Sequence, residues 1–383
     1  MPSHDFIRQL PGAETHFSRR TGFFHLIHLD FWLSMLLVLL MGFGLFTLYS
    51  GSGQNMGLVE RQALHFMVAS VLMALVAQVE PTQIKRWTPW IYGLGLVGLL
   101  AVLLIGSDAK GAQRWVQIPG AGIRVQPSEF MKLAVPMMVA HYLSDRVLPP
   151  RLADILVVLG IILLPAALII KQPDLGTALL VSAAGIFVLF FSGLSWRWIG
   201  SFIGGVAMFT PVMWYFVMHD YQKQRVLTLL DPEQDPLGTG WNIIQSKTAI
   251  GSGGFYGKGW LEGTQSQLDF LPESHTDFII AVLSEELGYL GVMAVLALYL
   301  AIIYRGLYMS GQAQDTFSRI LSAGLIMTFF IYVFVNMGMV SGILPIVGVP
   351  LPLISYGGTS VLTLLTAFGL MMSIHTHRKM LSR

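Results

Sequence analysis

Apolar residues run along this chain in long unbroken stretches separated by short polar breaks. A bilayer core of about 30 Å needs about 20 apolar residues in a helix. Ten such stretches are legible, at roughly 30–50, 62–79, 88–106, 128–144, 152–170, 176–193, 198–217, 277–303, 317–337 and 353–374. A membrane β-strand would alternate over about ten residues, and the run from Leu96 to Ile105 does not. Lipid satisfies no exposed backbone group, so helices are the expected solution. The pattern predicts an all-α polytopic membrane protein with about ten transmembrane helices.

Composition narrows this further. Only 11% of the 383 residues are charged and 54% are hydrophobic, against about 25% charged in a soluble domain. So little charge leaves too little polar surface for a soluble enzyme of this size. The absence of cysteine excludes a disulfide framework, and a net charge of +2 gives no footing for nucleic acid. Residues 1–28 read as a cytoplasmic tail with no cleaved signal peptide, 29–375 as one transmembrane domain and 376–383 as a second tail. With the N-terminus inside, thirteen of the 23 Lys and Arg fall on the cytoplasmic side, mostly in short connections. An even number of spans then returns the C-terminus to the cytoplasm.

One connection is long. Residues 218–276 form an outer loop too rich in aromatic and aliphatic residues for disorder, among them Trp241, Phe255, Tyr256 and Trp260. Trp241–Ile250 reads as a short amphipathic helix at the membrane surface. Gly251–Gly259 follows, with five glycines in nine residues. It misses the dinucleotide fingerprint at Tyr256 and the P-loop after Lys258, so neither nucleotide motif is accepted. A second outer segment, Gly342–Ser360, is rich in glycine and proline and carries no charge. It reads either as a re-entrant hairpin packed in protein or as unwound backbone lining a cavity.

The few charges inside spans each need a reason. Glu129 and Lys132 share a helix face, behind a start at Gln126-Pro127-Ser128 with Ser128 as the expected cap. They are either a packing ion pair or the border of a polar cavity. Asp277 opens the eighth span, with Thr276 placed to cap it and His275 two residues away. Its carboxylate either answers the helix dipole or takes a proton from an acceptor hydroxyl. His275 and Asp277 alone are a weak metal signal, and no metal motif accompanies them. Glu285 and Glu286 lie about 12 Å deeper along the helix, as packing residues or as ion traffic. Asp174 sits in the tight hairpin Lys171–Asp174, and Lys171, Arg225 and Lys258 belong to a reservoir of outer cations suited to an anionic headgroup.

Taken in order, these segments resemble the SEDS family of cell-wall polymerases (shape, elongation, division and sporulation). The resemblance covers about residues 25–380. It rests on Gly111–Trp115, Gln126–Lys132, Lys171–Thr177, Gln245-Ser246 with the glycine run, Leu271–Phe278, Glu285–Gly288 and Pro350–Gly358. The segment Gly259–Phe270 is similar to the elongation type of that family more than to the division type.

The resemblance implies a peptidoglycan glycosyltransferase at the outer face of the bacterial cytoplasmic membrane. It implies lipid II and the growing glycan strand as substrates, and Asp277 as the essential aspartate. It places Trp115 and the Glu129–Lys132 pair at the cavity. Asp174, Arg225, Lys258, His275 and Ser355 are further substrate-side candidates read from the residues themselves. Diphosphate charge would be met by basic residues or by a divalent cation such as Mg2+. Implied partners are a class B penicillin-binding transpeptidase and other elongation-complex membrane proteins, with no nucleic acid. Two rivals remain at this level: a lipid II flippase with a path to both faces, and a non-catalytic scaffold. A division-type member of the same family is the alternative within the enzyme class.

Overall fold

The computed structural model describes residues 27–105, 107–109, 112–117, 124–218, 220–234, 239–267 and 273–377. The basic residues of both tails, Gly111 and the pair Leu271-Pro272 lie outside the described residues. Ten helices of 17 residues or more occur among the described residues, one at each predicted stretch. They are α1 (Phe31–Gly51), α2 (Met56–Ala77), α3 (Pro81–Ile105), α4 (Pro127–Ser144), α5 (Leu152–Lys171), α6 (Leu175–Phe191), α7 (Trp196–Val212), α11 (Ile279–Gly311), α12 (Thr316–Val340) and α13 (Gly358–Thr376). Three shorter helices, α8 (Asp220–Leu230), α9 (Thr239–Gly253) and α10 (Thr264–Gln267), fold the long loop.

Seven of the ten are long and apolar enough to cross a membrane by length and composition. The other three fall short for local reasons. Helix α4 carries Glu129 and Lys132, whereas α6 and α7 have 17 residues each. The all-α expectation holds, with one extended connection among the described residues. Between α3 and α4 the chain makes a small antiparallel meander, β1 (Ser107–Ala109), β2 (Ala112–Gln117) and β3 (Arg124–Val125).

Side-chain caps fix several helix starts. Asp30, Asn55, Asp174 and Asp315 each accept a backbone N–H of the first turn of α1, α2, α6 and α12. The start of α4 differs from expectation. Gln126 is the capping residue with Pro127 at the first helical position, and Ser128 lies inside the helix. Proline preorganises the first turn without losing a needed donor, so no hydroxyl cap is required.

The helix ends sort into two faces. At one face Arg305 of α11 clasps Asp30 through two hydrogen bonds, at 3.0 and 2.5 Å, and His28 stacks on His377 beyond α13. Lys85 at the start of α3 meets Asp145 at the end of α4 on a 2.6 Å bridge. The opposite ends carry the meander, the hairpin before α6, the long loop and residues 341–357. Helices α4, α12 and α13 are the most enclosed, with Leu325, Phe329, Phe368 and Met371 buried among them.

Helix α11 is broken where the glycine run meets it. Gly288 has φ +64 and ψ −161, so the helical ladder stops there. In hydrocarbon an interrupted ladder must be completed by other protein groups. The loop completes it from both sides. Lys258 and Gly259 donate their N–H groups to the carbonyls of Glu285 and Glu286, each at 3.0 Å. Tyr289 and Leu290 donate theirs to Gly254 and Phe255, at 3.0 and 3.3 Å. A Cβ on Gly257 would stand 2.1 Å from the Glu286 carbonyl, and one on Gly288 would stand 2.2 Å from the Gly257 nitrogen. The glycines therefore serve close backbone contact, not a phosphate.

Helix α9 contains the amphipathic helix expected at Trp241–Ile250. Its buried residues Ile243, Ser246, Ala249 and Gly253 pack on α11 and on the end of α12, where Ser246 donates to the Val340 carbonyl at 3.0 Å. Gly253 lies directly on the backbone of Ser284 and Glu285. The helix is thus held by protein along one face.

Candidate active site

The carboxylate expected to open the eighth span stands just before it. Helix α11 begins at Ile279, Phe278 occupies the cap position with no side-chain cap, and residues 273–278 form turns. Thr276 does not cap α11. Its hydroxyl donates instead to the Glu273 carboxylate at 2.9 Å and carbonyl at 3.3 Å. Phe278 is 2% exposed and anchors the turn in the core, while Asp277 beside it is half-buried. The last span is likewise shorter than expected. Helix α13 starts at Gly358, and residues 343–357 have no regular structure.

The second half of that segment is buried, at Val349 and Leu351–Ser355, so its backbone needs partners. Tyr299 of α11 donates its hydroxyl to the Pro352 carbonyl at 2.7 Å. Gln62 of α2 donates to the Ser355 carbonyl at 3.3 Å and accepts from the Gly357 N–H at 3.2 Å. Asn336 of α12, fully buried, donates to the Val349 carbonyl at 2.7 Å and to the Asp277 carbonyl at 2.9 Å. The segment is unwound backbone packed in protein, and at Gly348 it runs close to the Asp277 carboxylate.

A second polar group lies on the same face of α12. Lys132 meets Glu129 at 2.5 Å and sits 4.9 Å from the ring centre of Tyr332, one helical turn from Asn336. All three side chains are buried. Asp174 caps α6 through the Thr177 N–H at 3.2 Å and accepts from Gln126 at 3.4 Å. Tyr332 is within electrostatic reach of Lys132, Glu129 and Asp174 together. Three buried oxygens in this region, on Ser128, Glu129 (Oε2) and Asn336 (Oδ1), have hydrogen-bonding capacity unmet by described protein groups.

The remaining candidates are dispersed. Trp115 lies half-buried in β2 opposite Ser107. His275 lends its carbonyl to the Tyr356 N–H at 3.0 Å, with the rings 6.4 Å apart. Ser355, 2% exposed, accepts the Leu351 N–H at 2.8 Å within its own segment. Arg225 is half-buried on α8. Lys258 is engaged by Glu285 at 2.6 Å and by Thr264 at 2.8 Å. Glu285 also accepts from the N–H groups of Thr264 and Gln265, and Glu286 accepts from Ser50 of α1.

Asn336, Tyr332, Gln62 and Tyr299 were not among the sequence candidates. For Asn336 and Gln62 a signal existed, a carboxamide within an apolar stretch. Among the described residues no three or more His, Asp and Glu cluster as metal ligands. A groove of about 460 Å³ runs past Gly288 between α11 and α12, lined by Tyr289, Val292, Phe330 and Phe334. Its lining carries no charged residue, which disfavours an anionic headgroup there.

Known proteins match this chain along nearly its whole length. A family model named for FtsW, RodA and SpoVE and described as cell cycle protein covers residues 26–380. The peptidoglycan glycosyltransferase MrdB of Escherichia coli strain K12 is 52% identical over 361 residues, 94% of this chain and 97% of that protein. The probable peptidoglycan glycosyltransferase FtsW of Trichlorobacter lovleyi is 39% identical over 93% of this chain and 96% of that protein. A solved chain from a peptidoglycan synthase complex that coordinates polymerization and crosslinking is 29% identical. It covers 92% of this chain and 98% of its own, with a TM-score of 0.80. The crystal structure of Thermus thermophilus rod shape determining protein RodA gives 0.69 at 25% identity, over 91% and 98%. The chain belongs to the FtsW, RodA and SpoVE family.

Proposed function

We propose that this protein is a peptidoglycan glycosyltransferase of the elongation type, polymerising lipid II into β-1,4 glycan strands with release of undecaprenyl diphosphate. One observation carries the reading. Asp277 stands half-buried at a turn fixed between α12 and an unwound segment, on the helix face that also carries Tyr332 beside Lys132. The 52% identity to a peptidoglycan glycosyltransferase supports it.

In this reading Asp277 accepts the proton of the acceptor sugar's 4-hydroxyl. The freed oxygen pair bonds to the donor's anomeric carbon while the bond to the lipid diphosphate breaks, inverting an α-linked donor. The diphosphate takes the bonding pair, so a fixed positive field is needed where that charge develops. Arg225 remains a candidate for it. Lys132 and Lys258 are weaker ones, because each ammonium is engaged by a carboxylate, Glu129 and Glu285. A divalent cation would take much of its coordination from the diphosphate and water, since hard cations favour oxygen ligands and Mg2+ keeps several waters.

The face carrying Asp277 is read as the outer face of the cytoplasmic membrane, with ten passes and both termini inside. A class B penicillin-binding transpeptidase is the proposed partner, as the likeness to a synthase complex supports. A transporter would need intramembrane carboxylates available for ion traffic, but Glu285 and Glu286 are engaged in packing contacts and Glu129 is paired with Lys132.

The test is polymerisation of lipid II by the full chain in liposomes, with and without the transpeptidase. Asp277→Asn is compared with wild type at matched folding. Loss of polymer in the variant is expected, and equal polymer from both would sink Asp277 as the base.

A further inference from the structure

We infer that Asn336 is a positioning residue for the glycosyl transfer, holding the Asp277 turn and the unwound 343–357 segment in one register. The inference rests on the reading of Asp277 as the base.

Its geometry leaves little choice of role. The Asn336 amide is fully buried inside α12, yet its two hydrogens reach two carbonyls on different pieces of chain, Asp277 at 2.9 Å and Val349 at 2.7 Å. A carbonyl can only accept, so the NH2 side of the amide must face both, and the amide orientation is fixed by chemistry. Both acceptors lie outside regular helix. The turn at 273–278 precedes α11, and Val349 lies in the unwound segment. Neither carbonyl takes part in a helical ladder that would set its position.

Holding two irregular strands of backbone at one point fixes the carboxylate between them. Gly348, beside Val349, has φ +74, and a Cβ there would stand 3.4 Å from Asp277 Oδ2. The carboxylate therefore rests against the backbone that Asn336 holds. Tyr332, one turn away on the same helix, touches Lys132. Helix α12 thus sets the spacing between the base and the buried cation with two side chains. A base must lie within about 3 Å of the proton that it takes, so a drift of about 1 Å at this turn costs about 100-fold in rate.

Asn336→Leu keeps the shape and removes both donors, and Asn336→Ser keeps one donor in a smaller side chain. In liposomes Asn336→Leu is expected to lower kcat about 30-fold or more per folded molecule, with KM for lipid II within about twofold. Asn336→Ser is expected to fall between it and wild type, and serves alone should the leucine variant not fold. A second readout is independent of catalysis. The chain has no cysteine, so Asp277→Cys places a single reporter thiol at the turn. Its labelling rate by a neutral maleimide, and the pH midpoint of that rate, should change several-fold on adding Asn336→Leu or Asn336→Ser.

Unchanged labelling, or a kcat within twofold of wild type for the folded protein, overturns the inference. So does a rise in KM with kcat unaltered. Wild-type polymerisation by Asp277→Asn would remove the base reading instead, and the thiol measurement separates the two failures.

Discussion

Two carboxylates eight residues apart differ in what surrounds them. Glu285 is fully buried and accepts from Lys258, both Thr264 donors and the Gln265 N–H. Its oxygens are devoted to holding the loop against broken helix α11. Asp277 is half-buried at a turn, its backbone held by Asn336 and its carboxylate beside Gly348. A buried acid surrounded by donors is a structural joint, because any proton or substrate must displace those donors first. A partly exposed acid on fixed backbone has a defined position and remains reachable. In the proposed reading the contrast separates chemistry from architecture within one motif-rich stretch.

The contrast is broken most directly by removing each acid. Asp277→Asn should lower the polymerisation rate by about 10²–10⁴, with the thermal midpoint of the detergent-solubilised protein unchanged. Glu285→Ala should do the reverse. It leaves buried donors unmatched, and loss of about 3 kcal/mol is expected, read as a lowered unfolding midpoint. Rate per folded molecule should change far less than in the Asp277 variant. Equal kinetic defects in the two would erase the distinction.

The splice itself predicts a smaller effect. Gly288→Ala puts a side chain at φ +64 and 2.2 Å from the Gly257 nitrogen. A cost of about 2 kcal/mol is expected from the backbone strain, with faster proteolysis within 251–259 as the measured sign.

The smallest expected effect lies on the opposite face and sharpens the comparison by supplying a third acid. Burial pushes the Asp30 carboxyl up, but hydrogen bonds from Arg305 and the Leu33 N–H, with the charge of Arg305, bring it below the usual aspartate range. A depressed folded-state value means that the unfolded chain binds the proton more readily. The stabilisation is present above the unfolded value, about pH 4, and is lost as pH falls through the folded one. Asp30→Asn should cost about 1 kcal/mol at neutral pH and flatten the acid limb of the unfolding-midpoint curve. An unchanged limb would exclude Asp30 as its source.

The sequence by itself determined the ten long apolar stretches, because a bilayer imposes length and polarity on each helix locally. It also located the glycine run and the intramembrane charges, since both are costly enough to stand out without context. It did not determine where α11 starts or that α4 is capped at Gln126, because a turn and a helical start share the same residues there. It offered Asn336 only as a carboxamide in an apolar stretch, since one amide within α12 gains a role only when the Asp277 turn and the unwound segment at Val349 fold onto it. Whether Glu285 and Lys258 hold a loop or a ligand was equally undecided. Tertiary structure decided it by bringing Thr264 and Gln265 to the Glu285 carboxylate, which makes that acid a joint between loop and helix.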